Sequence, residues 1–193
     1  MGDCFDLVKV SMFRALASWI THGLVWFILI AIPCTPDSST SNVSRSAEYV
    51  RQRERLMKNI LRIISLCIQY GVYFLVENPR GSKVWRRRAL QELLARASAA
   101  DTLYDDCAFG TAYLKPQRLS GTLPGASRLG ITCTCGILHE VLQGVVRVVY
   151  DGRLRWLWKT NMAGRYPAEF CHLGAKVCKD ACPFINPPAK LSA

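Results

Sequence analysis

Two short apolar runs joined by one long helical stretch constrain this chain more than any other feature. The first, residues 24–32, is nine residues long, about half of the ~20 that a membrane-spanning helix needs. The second, residues 72–76, is shorter still. Each is the right length for a strand buried on both faces, as parallel strands are. Between them lies a polar loop rich in Ser, Thr, Asn and Pro, and then a stretch from Ser46 to about Tyr70. In that stretch Leu56, Ile60, Ile64, Cys67 and Ile68 recur on one side, Ser46 stands at the N-cap position and Gly71 closes the helix. Strand, crossover helix, strand is the unit of a parallel sheet.

The same reading extends in both directions. Phe13, Leu16, Ala17 and Ile20 mark an opening helix that stops at Gly23. Ser82 caps a second crossover helix, reaching about Ala97 and packing through Trp85, Ala89, Leu93 and Leu94. Residues 101–107 and 118–123 read as a third and a weaker fourth strand. The expected fold class is therefore α/β, a partial Rossmann-like sheet of mostly parallel strands with flanking helices. Beyond Gly125 the pattern changes. Strands 145–150 and 153–158 flank Asp151-Gly152, a two-residue hairpin signal, and a short helix spans about 167–179. The expected organisation is a core over 1–125, a hairpin and cysteine-rich appendage over 126–182, and a loose tail over 183–193.

Charge narrows the partners. Lys and Arg total 25 against 14 Asp and Glu, a net charge of +11, which suits an anionic partner such as nucleic acid. No membrane partner is expected. Nine cysteines could suggest secretion, but the number is odd. Residues 1–6 carry two acids and no secretory n-region. Thiols such as Cys67 also sit inside apolar patterns, so the reading is intracellular with reduced cysteines.

Each apolar run ends in a chemically useful group: Pro33-Cys34 after the first, Glu77-Asn78-Pro79 after the second. The C-terminal edge of an open α/β sheet is where ligands sit. The order continues with Thr35 and Ser38, then Ser82 and Trp85, then Cys107-Ala108-Phe109-Gly110 and Lys115-Pro116-Gln117-Arg118. This ordered set resembles the cytosine-C5 DNA methyltransferases, and most closely a phage and mobile-element branch of that family. The resemblance covers about residues 24–123 and extends to Tyr166-Pro167.

The resemblance implies Cys34 as nucleophile at cytosine C6 and Glu77 as the acid that contacts N3. Pro33, Asn78, Pro79, Gln117 and Arg118 would complete the substrate site, with S-adenosylmethionine as methyl donor. A free thiol has a pKa of about 8.5, and the start of the long helix with Arg45 and Arg51 nearby would lower it. The base would have to be flipped out of a duplex or be single-stranded already. The glycine-containing donor loop belongs upstream of the Pro-Cys strand. Only 33 residues precede Cys34 (34 − 1) and they contain no such loop. The expectation is a degenerate or partial enzyme, inactive alone, or one whose donor-binding half comes from a second chain.

Two further groups invite function. Arg86, Arg87 and Arg88 are a candidate phosphate contact, against the plainer reading of a solvated helix face. Cys133, Cys135 and His139 have the donor types of a zinc site, with Cys171, His172, Cys178 or Cys182 available to complete it. Reduced thiols beside a histidine are the alternative. A basic nucleic-acid-binding module, zinc-stabilised or not, is the second functional expectation.

Overall fold

The computed structural model describes residues 7–33, 46–150 and 152–185. Expectations placed on Cys34, Thr35, Ser38, Arg45, Asp151 and most of the tail lie outside the described residues. The chain order is α1 (Val10–Thr21), β1 (Phe27–Ala31), α2 (Ala47–Tyr70), β2 (Tyr73–Pro79), α3 (Arg88–Arg96), β3 (Ala100–Asp105) and β4 (Pro116–Gly121). Then come β5 (Val145–Tyr150), β6 (Arg153–Trp158), α4 (Lys159–Met162) and α5 (Ala168–Ala181). Short 3-10 turns precede α3, follow β3 and cover Ala126–Leu129.

Local signals place α2. The Ser46 hydroxyl accepts from Tyr49 N–H at 3.2 Å, satisfying one of the amides that the first turn leaves unpaired. Met57, Ile60, Ile63, Ile64 and Cys67 recur at helical spacing and are buried. They form one core layer with Leu16 and Ile20 of α1, Phe74 and Val76 of β2, and Trp85, Leu90 and Leu94. Ser82 caps only the 3-10 turn Lys83–Arg86, through Val84 N–H. The helix expected to run unbroken to Ala97 is therefore split, and α3 begins at Arg88.

The protein is a mixed α/β structure with a four-stranded mixed sheet, order β1-β2-β4-β3, and a separate antiparallel hairpin of β5 and β6. The expectation of mostly parallel strands is corrected here. β1 pairs with β2 in parallel, but β4 lies antiparallel to both β2 and β3. β1, β2 and β3 run the same way, as their crossover helices dictate, yet β4 is wedged between β2 and β3. Its connection from β3 is a 3-10 turn and a short loop, too short for the dozen or more residues of a parallel crossover.

Two-sided burial of the first strand also fails. β1 is the sheet edge: Ile30 is buried on the helical side, whereas Leu29 is 44% exposed. The second face of the sheet is covered by α5 and the 3-10 turn after β4, through Leu75, Tyr104, Leu119, Leu123, Leu129, Phe170 and Val177. This cover stops short of β1 and leaves an apolar cleft of about 260 Å³ between Phe27, Leu29 and α5. The helix assigned in sequence to the appendage is thus part of the sheet's own core. Among the described residues no helix is long and apolar enough to cross a membrane.

Candidate functional site

The carboxyl ends of β1 and β2 are tied together by their own motif residues. Ile32 N–H donates to Glu77 O at 3.3 Å. The Asn78 side-chain amide donates to Ile32 O at 2.5 Å. Pro33, exposed, follows directly; Cys34 lies outside the described residues. Glu77, Asn78 and Pro79 do not form a corner beyond the strand. They are its last three residues, with Asn78 opposite Arg118 and Pro79 opposite Gln117. Two segments remote in sequence meet because β4 is antiparallel.

Alternation then separates what the sequence grouped. Glu77, Pro79 and Gln117 share the face that α5 covers, together with Tyr104, the neighbour of Gln117 on β3. Asn78 and Arg118 share the opposite face. Arg118 donates to Asp101 through Nε (3.0 Å) and Nη2 (2.9 Å). Its guanidinium lies 4.4 Å from the Trp85 ring centroid, a cation–π contact. Arg118 thus faces away from Glu77 and is engaged by Asp101 and Trp85.

Glu77 is 7% exposed and well partnered. Tyr166 OH donates to its Oε2 at 2.9 Å. With the Gln117 amide nitrogen turned toward it, Gln117 donates to Glu77 Oε1 at 3.1 Å and accepts from Lys115 Nζ at 2.9 Å. Lys115 also donates to Ala163 O at 2.7 Å and stands 3.8 Å from Asp106 Oδ2. Burial raises the Glu77 carboxyl above its ordinary value, against the opposing pull of Tyr166 and Lys115. Asp106 is raised to about 6, again by burial. Among the described residues, buried atoms with no hydrogen-bond partner lie on this side, Tyr104 OH and both Asp106 oxygens, and Asn78 Oδ1 is another on the opposite face. Such atoms mark a polar site in an otherwise apolar core.

The raised Glu77 value has a fixed sign. The folded state holds this proton more tightly than the unfolded chain does. The associated stability is complete below the ordinary value of 4.5 and is lost as pH rises through the folded value. Urea titrations across that range should show Glu77→Gln losing less stability with rising pH than the parent. Parallel curves would refute this assignment.

The arginine triplet is divided. Arg87 pairs with Glu54 at 2.9 and 3.2 Å, and Arg88 with Glu92 at 2.7 Å. Arg86 is exposed at the end of the 3-10 turn.

A second constellation lies past β3. Cys133 Sγ is 3.1 Å from Cys135 Sγ and 3.4 Å from His139 Nε2, and Cys135 Sγ is 3.3 Å from the same nitrogen. Cys107 joins them, with its sulfur and those of Cys133 and His139 Nε2 within 4.8 Å of one another. Cys107, Cys133 and His139 can hold a metal ion, with Cys135 beside the last two. Cys171 and Cys178, offered by the sequence as completing ligands, instead line the apolar cleft beneath α5. Cys107, Tyr166 and Asp106 were missed as site residues. Cys107 carried a sequence signal as part of the Cys-x-Phe-Gly motif, and Tyr166 as part of the Tyr166-Pro167 pair to which the resemblance extends, whereas Asp106 carried none.

No family model matches this chain, and no curated protein matches it.

Proposed function

We propose that this chain is a partial α/β domain similar to the cytosine-C5 DNA methyltransferases, built on a Rossmann-like sheet and acting inside the cell on nucleic acid, DNA first. A cytosine, flipped or single-stranded, would be received at the carboxyl end of β2. Glu77 recognises the base, Gln117 orients Glu77, and Cys34 is the nucleophile. S-adenosylmethionine is the methyl donor, held with the help of a second chain. One observation carries the reading: Glu77 and Gln117, from two motifs of the resemblance, share one face at the end of the sheet and hydrogen-bond each other.

The chemistry is consistent with that role. Neutral cytosine presents N3 as an acceptor, so its partner must donate. A buried carboxyl with a raised pKa keeps its proton further up the pH scale and can donate it. A base edge reaching Glu77 Oε2 would displace the Tyr166 hydroxyl that donates to it.

Fluorescence anisotropy with single-stranded oligonucleotides tests this. The parent is expected to prefer a cytosine target over thymine or an abasic site. Glu77→Ala should erase about tenfold of that preference, within the ~1–3 kcal/mol of a specific base contact, and leave the salt slope unchanged. Cys34→Ser should preserve binding and, once a second chain supplies the donor site, abolish methyl transfer. A parent chain blind to the base would overturn the proposal.

A second reading is a non-catalytic basic binder. The hairpin favours it: Arg147 and Trp156 are opposite one another on one face, and both are exposed. Such a pair can stack on a base of any sequence. Loss of affinity in Trp156→Ala without loss of base preference would mark that mode. Zinc is the cation suited to the cysteine–histidine group in either case.

A further inference from the structure

Resting on the zinc reading of that group, we infer that Cys107, Cys133, Cys135 and His139 form a closed four-ligand structural zinc site clasping the loop after β4 to the end of β3. Three thiolates and an imidazole are a recognised structural zinc set. Zinc–sulfur distances of about 2.3 Å and zinc–nitrogen distances of about 2.0–2.1 Å put tetrahedral donors roughly 3.4–3.8 Å apart. The sulfur–nitrogen pairs at 3.4 and 3.3 Å lie within a few tenths of an ångström of the ~3.6 Å that such a site sets, and the sulfur pair at 3.1 Å would open toward ~3.8 Å around the ion. The 3.1 Å sulfur separation also differs from a disulfide bond of about 2.05 Å, and all three cysteines are free.

The Cys-x-Cys pair is too tight to span a tetrahedron with His139 alone. Cys107, delivered from the turn after β3, supplies the remaining corner. Gly136, at φ 64° directly after Cys135, reverses the chain so that His139 returns to the sulfurs.

The loop needs such a clasp. Its backbone bonds lie at its two ends: Asp105 N–H to Ile131 O (3.1 Å) and Glu140 N–H to Ala112 O (2.9 Å). Cys133 N–H adds a bond to Asp105 Oδ2 at 2.8 Å, a carboxylate that steadies a ligand from behind. At the tip, Ile137 is 70% exposed and Leu138 fully so, so apolar burial does not order it. Metal binding, with the thiol protons released to solvent, supplies that order. All four positions being protein ligands, the ion is structural.

The test uses the full chain purified under reducing conditions with zinc, its metal content measured by mass spectrometry. One equivalent of zinc is expected. Cobalt in its place should give the visible spectrum of a tetrahedral thiolate site. Cys107→Ser should weaken cobalt binding at least tenfold and diminish the thiolate-to-metal band, while Cys178→Ser should change neither. A folded chain without zinc, or Cys107→Ser with the parent's spectrum and affinity, would overturn the inference. Should Cys107→Ser not fold, the parent decides alone: a chelator must expose residues 131–140 to protease, and unchanged cleavage refutes the clasp.

Discussion

Gly121→Ala is expected to leave the chain without a folded baseline. A β-carbon at Gly121 would run into Phe74 O, 2.8 Å from its carbonyl carbon and 2.9 Å from Leu75 Cα. These are backbone atoms of the neighbouring strand and cannot rotate aside. Gly121 is also where β4 meets both neighbours, opposite Leu75 and Ala100. Moving it breaks the bond from Thr122 N–H to Phe74 O at 2.8 Å and the bond from Phe74 N–H to Thr122 Oγ1 at 3.2 Å. Ordinary overpacking costs about 1–3 kcal/mol. A clash with two strands' backbone belongs in the range above about 4 kcal/mol, comparable to the total stability of a domain this size. Gly174→Ala is the control, because its β-carbon meets nothing within 4 Å. In urea denaturation it should match or exceed the parent. A Gly121→Ala unfolding free energy within about 1 kcal/mol of the parent would show that β4 is not packed as described.

Phe170→Ala carries the second large effect and asks whether α5 belongs to the core. The Phe170 ring is 6% exposed. It stacks on Tyr104 at 4.5 Å and on Tyr166 at 5.5 Å, and meets Phe109 edge-on at 5.3 Å. Truncating a buried phenylalanine costs about 3–5 kcal/mol, and the aromatic pairs add to the loss. Unfolding should remain one transition, shifted as a whole, when far-UV and near-UV signals are followed together. A loss below about 1 kcal/mol, or a separate early transition confined to the aromatic signal, would mean that α5 is an appendage. The stack also holds Tyr166 against Glu77, so the variant should loosen the carboxyl's surroundings as well.

What was legible in the sequence has a common physical origin. The cap at Ser46, the stripe from Ile60 to Cys67 and the stop at Gly71 act within a few residues of one another, so α2 could be read directly. The hairpin strands Val145–Tyr150 and Arg153–Trp158 were likewise read with their observed bounds, because turn and alternation are local signals. The juxtaposition of Pro33 with Asn78 was approachable too, since parallel strands joined by a helix end on the same edge.

The remainder depended on partners distant in sequence. Nothing within Pro116–Gly121 announces that it inserts between β2 and β3 and runs against them. That placement sends Gln117 to Glu77 and Arg118 to Asp101 and Trp85. Tyr166 reaches Glu77 only because α5 folds back over the sheet. Cys107 meets Cys133 and His139 only because the loop after β4 returns to the end of β3. The sequence by itself determined α2, the hairpin strands and the chemistry available at the strand ends. The tertiary structure decided which of those groups share a face, because side-chain direction in a strand reverses at every residue and is set by the register of its neighbours.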